Sequence, residues 1–97
     1  MAPKTIDLKA VEKISKALGD RHRLNILNYI TRKGGCAQCS DLHEIIDLSQ
    51  PSVSHHIKIL TEAGLIEAEK SGRNFSYTLN TKVLDQYTKF LKDLQND

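Results

Sequence analysis

The chain has 97 residues, of which 39% are hydrophobic and 27% charged, and its formal net charge is only +2. That length suits a single domain, residues 1–97, with one modest core. No apolar run approaches the ~20 residues of a membrane span, and the N-terminus leads into a helix pattern, not a signal peptide. We therefore expect a cytoplasmic protein with no membrane partner. Because so weak a net charge does not indicate nucleic acid by itself, the positions of the charges must decide.

Two helices are predicted for the first third of the chain. Residues 6–18 carry apolar side chains at helical spacing, and Gly19 then interrupts the pattern. Asp20 can cap a second helix that runs to about Lys33, where a pair of glycines ends it. Apolar residues occupy most of the circumference of this second helix, so we expect it to be buried at the centre of the domain.

The only two cysteines, Cys36 and Cys39, form a Cys-x-x-Cys pair directly after these glycines. In a cytoplasmic chain such a pair suggests metal or thiol chemistry before a structural disulfide. His43, one helical turn beyond Cys39, could add a third ligand to a thiolate-bound metal or metalloid ion. Alternatively, a helix N-terminus could acidify the thiols and make them a redox switch, or both could be inert small residues. The spacing leaves these three interpretations open.

A short third helix, residues 40–47, leads through a tight connection into a longer helix that organises the chain. Ser49 suits the N-cap of this longer helix, Pro51 suits its first turn, and Gly64 suits its end. Two helices joined this closely, the second with a polar outer face, are typical of a helix-turn-helix.

The outer face of the longer helix has a composition that fits DNA. On a helical wheel, Val53, Ile57 and Leu60 form a core side. The opposite side carries slim hydroxyls, an imidazole and an ammonium, which can reach base edges and phosphates in a major groove. Ser and His are mediocre helix formers, so a face that served only solubility would carry more Glu, Lys and Gln. The candidate DNA-reading residues on this side are Ser54, His55 and Lys58, with Ser52 at its flank.

Beyond Gly64 the apolar residues alternate with a period of two, which predicts a β-hairpin with one buried face. Its strands, residues 66–70 and 75–79, flank a turn that carries Arg73. A basic hairpin after a helix-turn-helix is typical of a wing, whose tip contacts the minor groove or the phosphates. The alternative is an ordinary exposed turn, where basic residues are common.

The last predicted helix, residues 81–94, carries an apolar stripe that a domain this small has little room to bury. The first helix carries a second such stripe. Exposed apolar patches usually mark interfaces, so we expect a two-fold homodimer through the terminal helices, with packing inside one chain as the alternative. The interface candidates are Val11, Ile14, Val83, Tyr87, Phe90 and Leu94.

Two blocks of sequence resemble the ArsR-type (ArsR/SmtB) winged helix-turn-helix repressors of bacteria. They are residues 17–27, ALGDRHRLNIL, and residues 49–66, SQPSVSHHIKILTEAGLI, and the similarity covers nearly the whole chain. The resemblance implies a mainly α fold with about five helices and a β-hairpin wing. It also implies a homodimer that binds an inverted-repeat operator in double-stranded DNA and leaves it when an effector binds. Effectors in this family are metal ions, metalloids, oxidants or reactive sulfur species. Carried over by position, the DNA-binding residues are Gln50, Ser52, Ser54, His55, Lys58 and, on the wing, Arg73.

The effector cannot be copied from the family, because this chain departs from both common sites. The family's thiolate motif is a Cys-x-Cys just before Asp-Leu, whereas Gln38-Cys39-Ser40 precedes Asp41-Leu42 here. The family's other site places His with carboxylates on the last helix, and this chain has no His after His56. His56 itself falls toward the core side of the wheel, which makes it a weaker DNA-binding candidate than His55.

Other classes of function have less support from the residues. No Ser/His/Asp set, paired acidic cleft or phosphate-cradling loop is visible, so the sequence predicts no enzyme. A winged-helix protein-interaction module remains an alternative, although the polar helix face and the basic wing argue against it. A repressor that binds DNA without any effector is a second alternative, and only the role of the cysteines separates it from a sensor.

Overall fold

The computed structural model describes residues 6–45 and 50–96. Within these ranges the order of elements confirms the predicted fold class, a mainly α winged helix-turn-helix with a β-hairpin. Five helices and three strands follow one another: α1 (Leu8–Leu18), α2 (Arg21–Arg32), β1 (Cys36–Gln38), α3 (Cys39–Ile45), α4 (Gln50–Glu62), β2 (Ile66–Ser71), β3 (Asn74–Leu79) and α5 (Thr81–Gln95).

Aspartates cap the first two helices. Asp7 Oδ1 accepts a hydrogen bond from the backbone N–H of Ala10 at 2.7 Å, so α1 begins after Asp7 and slightly later than the sequence predicted. Asp20 Oδ1 accepts from the backbone N–H groups of His22 and Arg23 at 2.9 and 3.2 Å. Each cap satisfies donors that a helix start leaves without a partner, which stabilises a helix by about 1 kcal/mol.

The hairpin is part of a three-stranded antiparallel sheet in the order β1-β3-β2. The strand β1 was not predicted, because three residues are too few to show an alternating pattern. It pairs with β3, which sets Cys36 opposite Thr78 and Gln38 opposite Ser76. The sheet therefore joins the segment that carries the cysteines directly to the wing.

The core lies between the sheet and the helices α1 to α4. None of the described residues of α5 is fully buried, so this helix lies at the edge of the domain. Among the described residues, no helix combines the length and apolar character that crossing a membrane requires. The largest fully buried side chains are Ile14, Ile26, Ile30, Leu42, Val53, Leu60, Leu65 and Ile66.

Two expectations about burial are wrong. The helix α2 buries one face and not most of its circumference: Ile26 and Ile30 are fully buried, whereas Leu24 is 48% exposed. Ile14, expected at a dimer interface, is only 1% exposed and packs in the core of its own chain. A side chain buried in this way has almost no surface to offer a partner.

Candidate nucleic-acid interface

The helix α4 has one buried side and one exposed side, divided as its sequence pattern predicts. Ser54 and His55 are exposed, and they lie on the side opposite the residues that enter the core. Hydroxyl and imidazole groups can both donate and accept hydrogen bonds, as reading base edges requires. The buried residues on the core side are Val53, Ile57 and Leu60.

The same outer side of α4 carries a positive charge. Lys58 Nζ lies 3.9 Å from Glu62 Oε1, and the two side chains are 75% and 60% exposed. Such an exposed pair contributes little to stability, so it leaves the ammonium able to turn toward a phosphate. Ser52 is half-buried at the flank of this face. The side chain of Gln50 lies outside the described residues, and its role in DNA binding stays a prediction.

The β2–β3 hairpin projects from the domain beyond its base. Tyr77 is buried near the base, whereas Phe75, close to the tip, is 42% exposed. The expected buried face therefore exists only in the lower half of the hairpin. The turn uses Gly72 at a φ of +63°, a conformation that favours glycine, and Arg73 next to it is exposed. The one arginine of the hairpin thus stands at its tip, where it could reach the phosphate backbone of DNA.

A cleft of about 420 Å³ separates α4 from the hairpin. Ser54 and Lys58 line it on the helix side and Phe75 lines it on the hairpin side, with Cys39 and Tyr77 also in its wall. The cleft therefore borders two of the predicted DNA-binding residues and one of the cysteines.

The two cysteines lie in different elements, both as free thiols. Cys36 is exposed on β1, and Cys39 is half-buried as the first residue of α3. Burial, together with the charge of a Cys39 thiolate and a hydrogen bond to Cys39, raises the pKa of Tyr77 to about 12. The Tyr77 hydroxyl on β3 of the wing thus responds to the Cys39 thiol, an interaction that the sequence did not reveal.

The described residues around the two cysteines do not form a metal site. Among the described residues, no group of three or more His, Cys, Asp and Glu side chains is placed to hold a metal ion. The side chain of His43, the predicted third ligand, lies outside the described residues. A thiolate-bound metal or metalloid ion stays a prediction.

Sequence reasoning also missed a polar network behind α4. Arg23 Nε donates to the carbonyl oxygen of Ala17 at 2.7 Å, and Nη2 donates to that of Lys16 at 3.0 Å. Nη1 of the same guanidinium lies 3.2 Å from Nδ1 of His56 on α4. One arginine therefore links the end of α1 and the start of α2 to the middle of α4. The signal in the sequence was its place in the first turn of a helix that directly follows another helix end.

The terminal helices α1 and α5 both carry apolar side chains that are partly uncovered. Four of the interface candidates, Val11, Val83, Tyr87 and Phe90, are half-buried, and Leu94 is 66% exposed. Leu8, at the start of α1, is 73% exposed. An apolar surface therefore extends over both helices.

Comparisons with known proteins agree with this geometry. A family model described as a helix-turn-helix domain matches residues 18–69. The transcriptional repressor SdpR of Bacillus subtilis (strain 168) is 35% identical over 83 residues, covering 86% of this chain and 90% of the relative. The arsenical resistance operon repressor of Bacillus subtilis (strain 168) is 40% identical over 78 residues, covering 80% and 73%. The chain belongs to the ArsR/SmtB family of winged helix-turn-helix regulators.

The fold of the ArsR/SmtB chain has a close match among solved structures. The crystal structure of an ArsR family transcriptional regulator superposes with a TM-score of 0.84 at 26% identity, covering 95% of this chain and 93% of the other. The family consists of DNA-binding transcriptional regulators, so the resemblance and the prediction of a non-enzymatic regulator are both confirmed. Within this framework α3 and α4 form the helix-turn-helix, and the β2–β3 hairpin forms the wing.

Proposed function

We propose that the protein is a homodimeric transcriptional repressor that binds an inverted-repeat operator through α4 and the wing. The observation that carries this proposal is the exposed side of α4, where Ser54, His55 and Lys58 lie together opposite the core. Relatives that are named repressors support the direction of regulation. The repressor would act in the cytoplasm of a cell that keeps its DNA in that compartment.

The proposed contacts divide into those that specify sequence and those that position the protein. Ser54 and His55 would hydrogen-bond to base edges in the major groove, assisted by Gln50 and Ser52. Lys58 and Arg73 would pair with phosphates on either side, which fixes register and makes binding dependent on salt. Arg73 is exposed at the tip of the projecting hairpin, which suits a phosphate contact.

The proposed dimer would form through α1 and α5. These helices share an apolar surface that ends in the exposed side chains of Leu8 and Leu94. Two chains related by a two-fold axis would cover this surface, and the dimer would present one copy of α4 from each chain. Reading helices in such dimers enter successive major grooves about 34 Å apart on one side of the duplex. An inverted-repeat operator follows from that symmetry.

An effector would act at Cys36 and Cys39. Four arsenical resistance repressors among the relatives favour a metalloid or a soft metal ion, and oxidation of the thiols is the alternative. The link from Cys39 to Tyr77 offers a route, because a change at the thiol would disturb β3 and the cleft beside Ser54 and Lys58. A repressor without an effector is the second candidate, favoured by the lack of a three-ligand group among the described residues.

The experiment uses a duplex selected from a random-sequence library by the wild-type chain. Binding of that duplex, with loss of at least tenfold in affinity for His55→Ala, would support the DNA-reading role of α4. Arsenite, Zn²⁺ and hydrogen peroxide are then added in turn to the wild type and to a variant with both cysteines replaced by serine. Release from the wild type alone supports sensing at the cysteines. Equal release from both proteins places the switch elsewhere, and no release from either favours the effector-free repressor.

A further inference from the structure

The imidazole of His56 lies in the junction between the reading helix and the first two helices. Its side chain is 12% exposed, in contrast to the exposed neighbour His55. Nδ1 faces Nη1 of Arg23 at 3.2 Å. A guanidinium has only donors, so the imidazole nitrogen must be the acceptor. The hydrogen bond from Arg23 therefore requires that Nδ1 of His56 carries no proton.

Arg23 cannot easily retreat from this contact. Its Nε and Nη2 donate to the carbonyl oxygens of Ala17 and Lys16 in the last turn of α1. Those carbonyls are at the negative end of the helix dipole, which favours a cation there. The guanidinium is thus a fixed cation that presents one N–H to α4.

The other charged groups around His56 come from the start of α2 and from α4 itself. The ring centroids of His22 and His55 lie 5.5 and 5.9 Å from that of His56, and Asp20 Oδ1 lies 3.9 Å from its Nδ1. Burial lowers the pKa of His56; Asp20 opposes this, while Arg23, His22 and His55 add to it. The same Asp20 oxygen accepts two backbone N–H groups in the α2 cap, and Oδ2 lies 3.9 Å from Nη1 of Arg23, so both carboxylate oxygens already have other donors.

We propose that neutral His56 is a positioning residue for the reading helix, and that its protonation releases α4 from the α1–α2 junction and weakens DNA binding. The proton would remove the acceptor for Arg23 and set an imidazolium against a guanidinium. The helix that carries Ser54, His55 and Lys58 would then lose its hydrogen bond to Arg23 of α2. The DNA part of this inference rests on the proposed function; the anchoring part concerns the folded chain alone.

The direction of the pH effect follows from the lowered pKa. The unfolded chain takes up a proton on His56 at about pH 6.5, whereas the folded chain does so only at a lower pH. Between these two points the unfolded state binds more protons, so stability falls as the pH falls. Above about pH 6.5 His56 is neutral in the folded chain, and its hydrogen bond with Arg23 is fully formed.

The test compares His56→Asn with His55→Asn. Asparagine carries an acceptor oxygen on Cγ, the same atom that carries Nδ1 in histidine, and it does not titrate. Thermal unfolding without DNA and affinity for the selected duplex are both measured between about pH 7.5 and about pH 5.5, across the range in which histidine titrates. His55 is the matched control, because it is next in sequence but exposed and facing DNA in the proposed complex.

We expect wild type and His55→Asn to lose thermal stability and several-fold in affinity on acidification, because both keep the titrating imidazole of His56. His56→Asn should keep its affinity at the higher pH within about threefold and show a flat profile, and His56→Ala should bind weakly throughout. A flat wild-type profile, an unchanged slope in His56→Asn, or a flat profile in His55→Asn overturns the inference. If no duplex is selected, the proposed function fails, and the unfolding profiles still decide the role of His56.

Discussion

The hydroxyl of Tyr87 in α5 lies 2.9 Å from Oγ of Ser15 in α1, a hydrogen bond between residues 72 positions apart. This contact links one residue of each terminal helix. Beyond it, Leu8 and Leu94 are left 73% and 66% exposed. One chain alone therefore presents the apolar surface that the proposed dimer would cover.

Replacing Leu94 by glutamate should weaken dimerisation. Burial of one leucine side chain contributes about 1.5–3 kcal/mol, and a two-fold interface loses it twice, so the dissociation constant should rise at least tenfold. Sedimentation equilibrium measures this constant. The matched control is Leu24→Glu, which alters another exposed leucine, on α2. A dimer weakened by Leu24→Glu and unaffected by Leu94→Glu would contradict the assignment of the interface.

Replacing Lys58 by glutamine should reduce the salt dependence of DNA binding. Each phosphate contact contributes about 0.9 to the slope of log affinity against log salt, so two subunits should lose about two in slope. Fluorescence anisotropy at several salt concentrations gives this slope. Lys89→Gln is the control, because Lys89 also belongs to an exposed i,i+4 pair, with Asp93, but lies on α5. An equal change in both variants would contradict a phosphate contact by Lys58.

Replacing Asp20 by alanine should destabilise the fold by about 1–2 kcal/mol, since the α2 cap loses its acceptor. Burial alone would raise the pKa of Asp20, but hydrogen bonds from the backbone of Arg23 and His22 and the charges of Arg23 and His56 lower it. The cap is therefore strongest with the carboxylate ionised, and stability should fall with pH below its ordinary pKa. Urea unfolding of the wild type, Asp20→Ala and Asp20→Asn measures these effects. Asp20→Asn, which keeps an acceptor, should lose less than Asp20→Ala; equal losses would contradict the capping role.

Strongly alkaline solution should destabilise the protein through Tyr77. The phenol of the unfolded chain loses its proton at about pH 10, whereas the buried one does so at about 12. Between these values the folded state binds more protons, so stability falls as the pH rises. Urea unfolding should show this decline in the wild type and a smaller one in Tyr77→Phe. Tyr29→Phe, a change on α2, should keep the wild-type decline, and an unaltered decline in Tyr77→Phe would contradict the assignment.

Local signals predicted most of the fold. Caps such as Asp20, the glycines at helix ends and the change in period after Gly64 each act within a few residues, so the sequence shows them directly. The strand β1 escaped prediction because its partner, β3, lies about 40 residues further along and three residues show no period of their own. The exposure of Leu24 likewise depends on which neighbours pack against α2.

The candidate site likewise has one part that the sequence predicts and another that depends on the tertiary fold. The exposed side of α4 follows from helical geometry, and the structure places Ser54, His55 and Lys58 there as predicted. The Arg23–His56 contact joins residues 33 positions apart, and the link between Cys39 and Tyr77 also needs the tertiary fold. Neither contact leaves a local pattern in the sequence.

The central claim is that a dimer places two copies of α4 in successive major grooves of one duplex. Hydroxyl-radical footprinting on the selected duplex, with the mass of the complex from sedimentation, tests this most directly. The account predicts two protomers per duplex and two protected patches on one side, with centres about 34 Å, or roughly 10 base pairs, apart. One protomer with a single protected patch would contradict it.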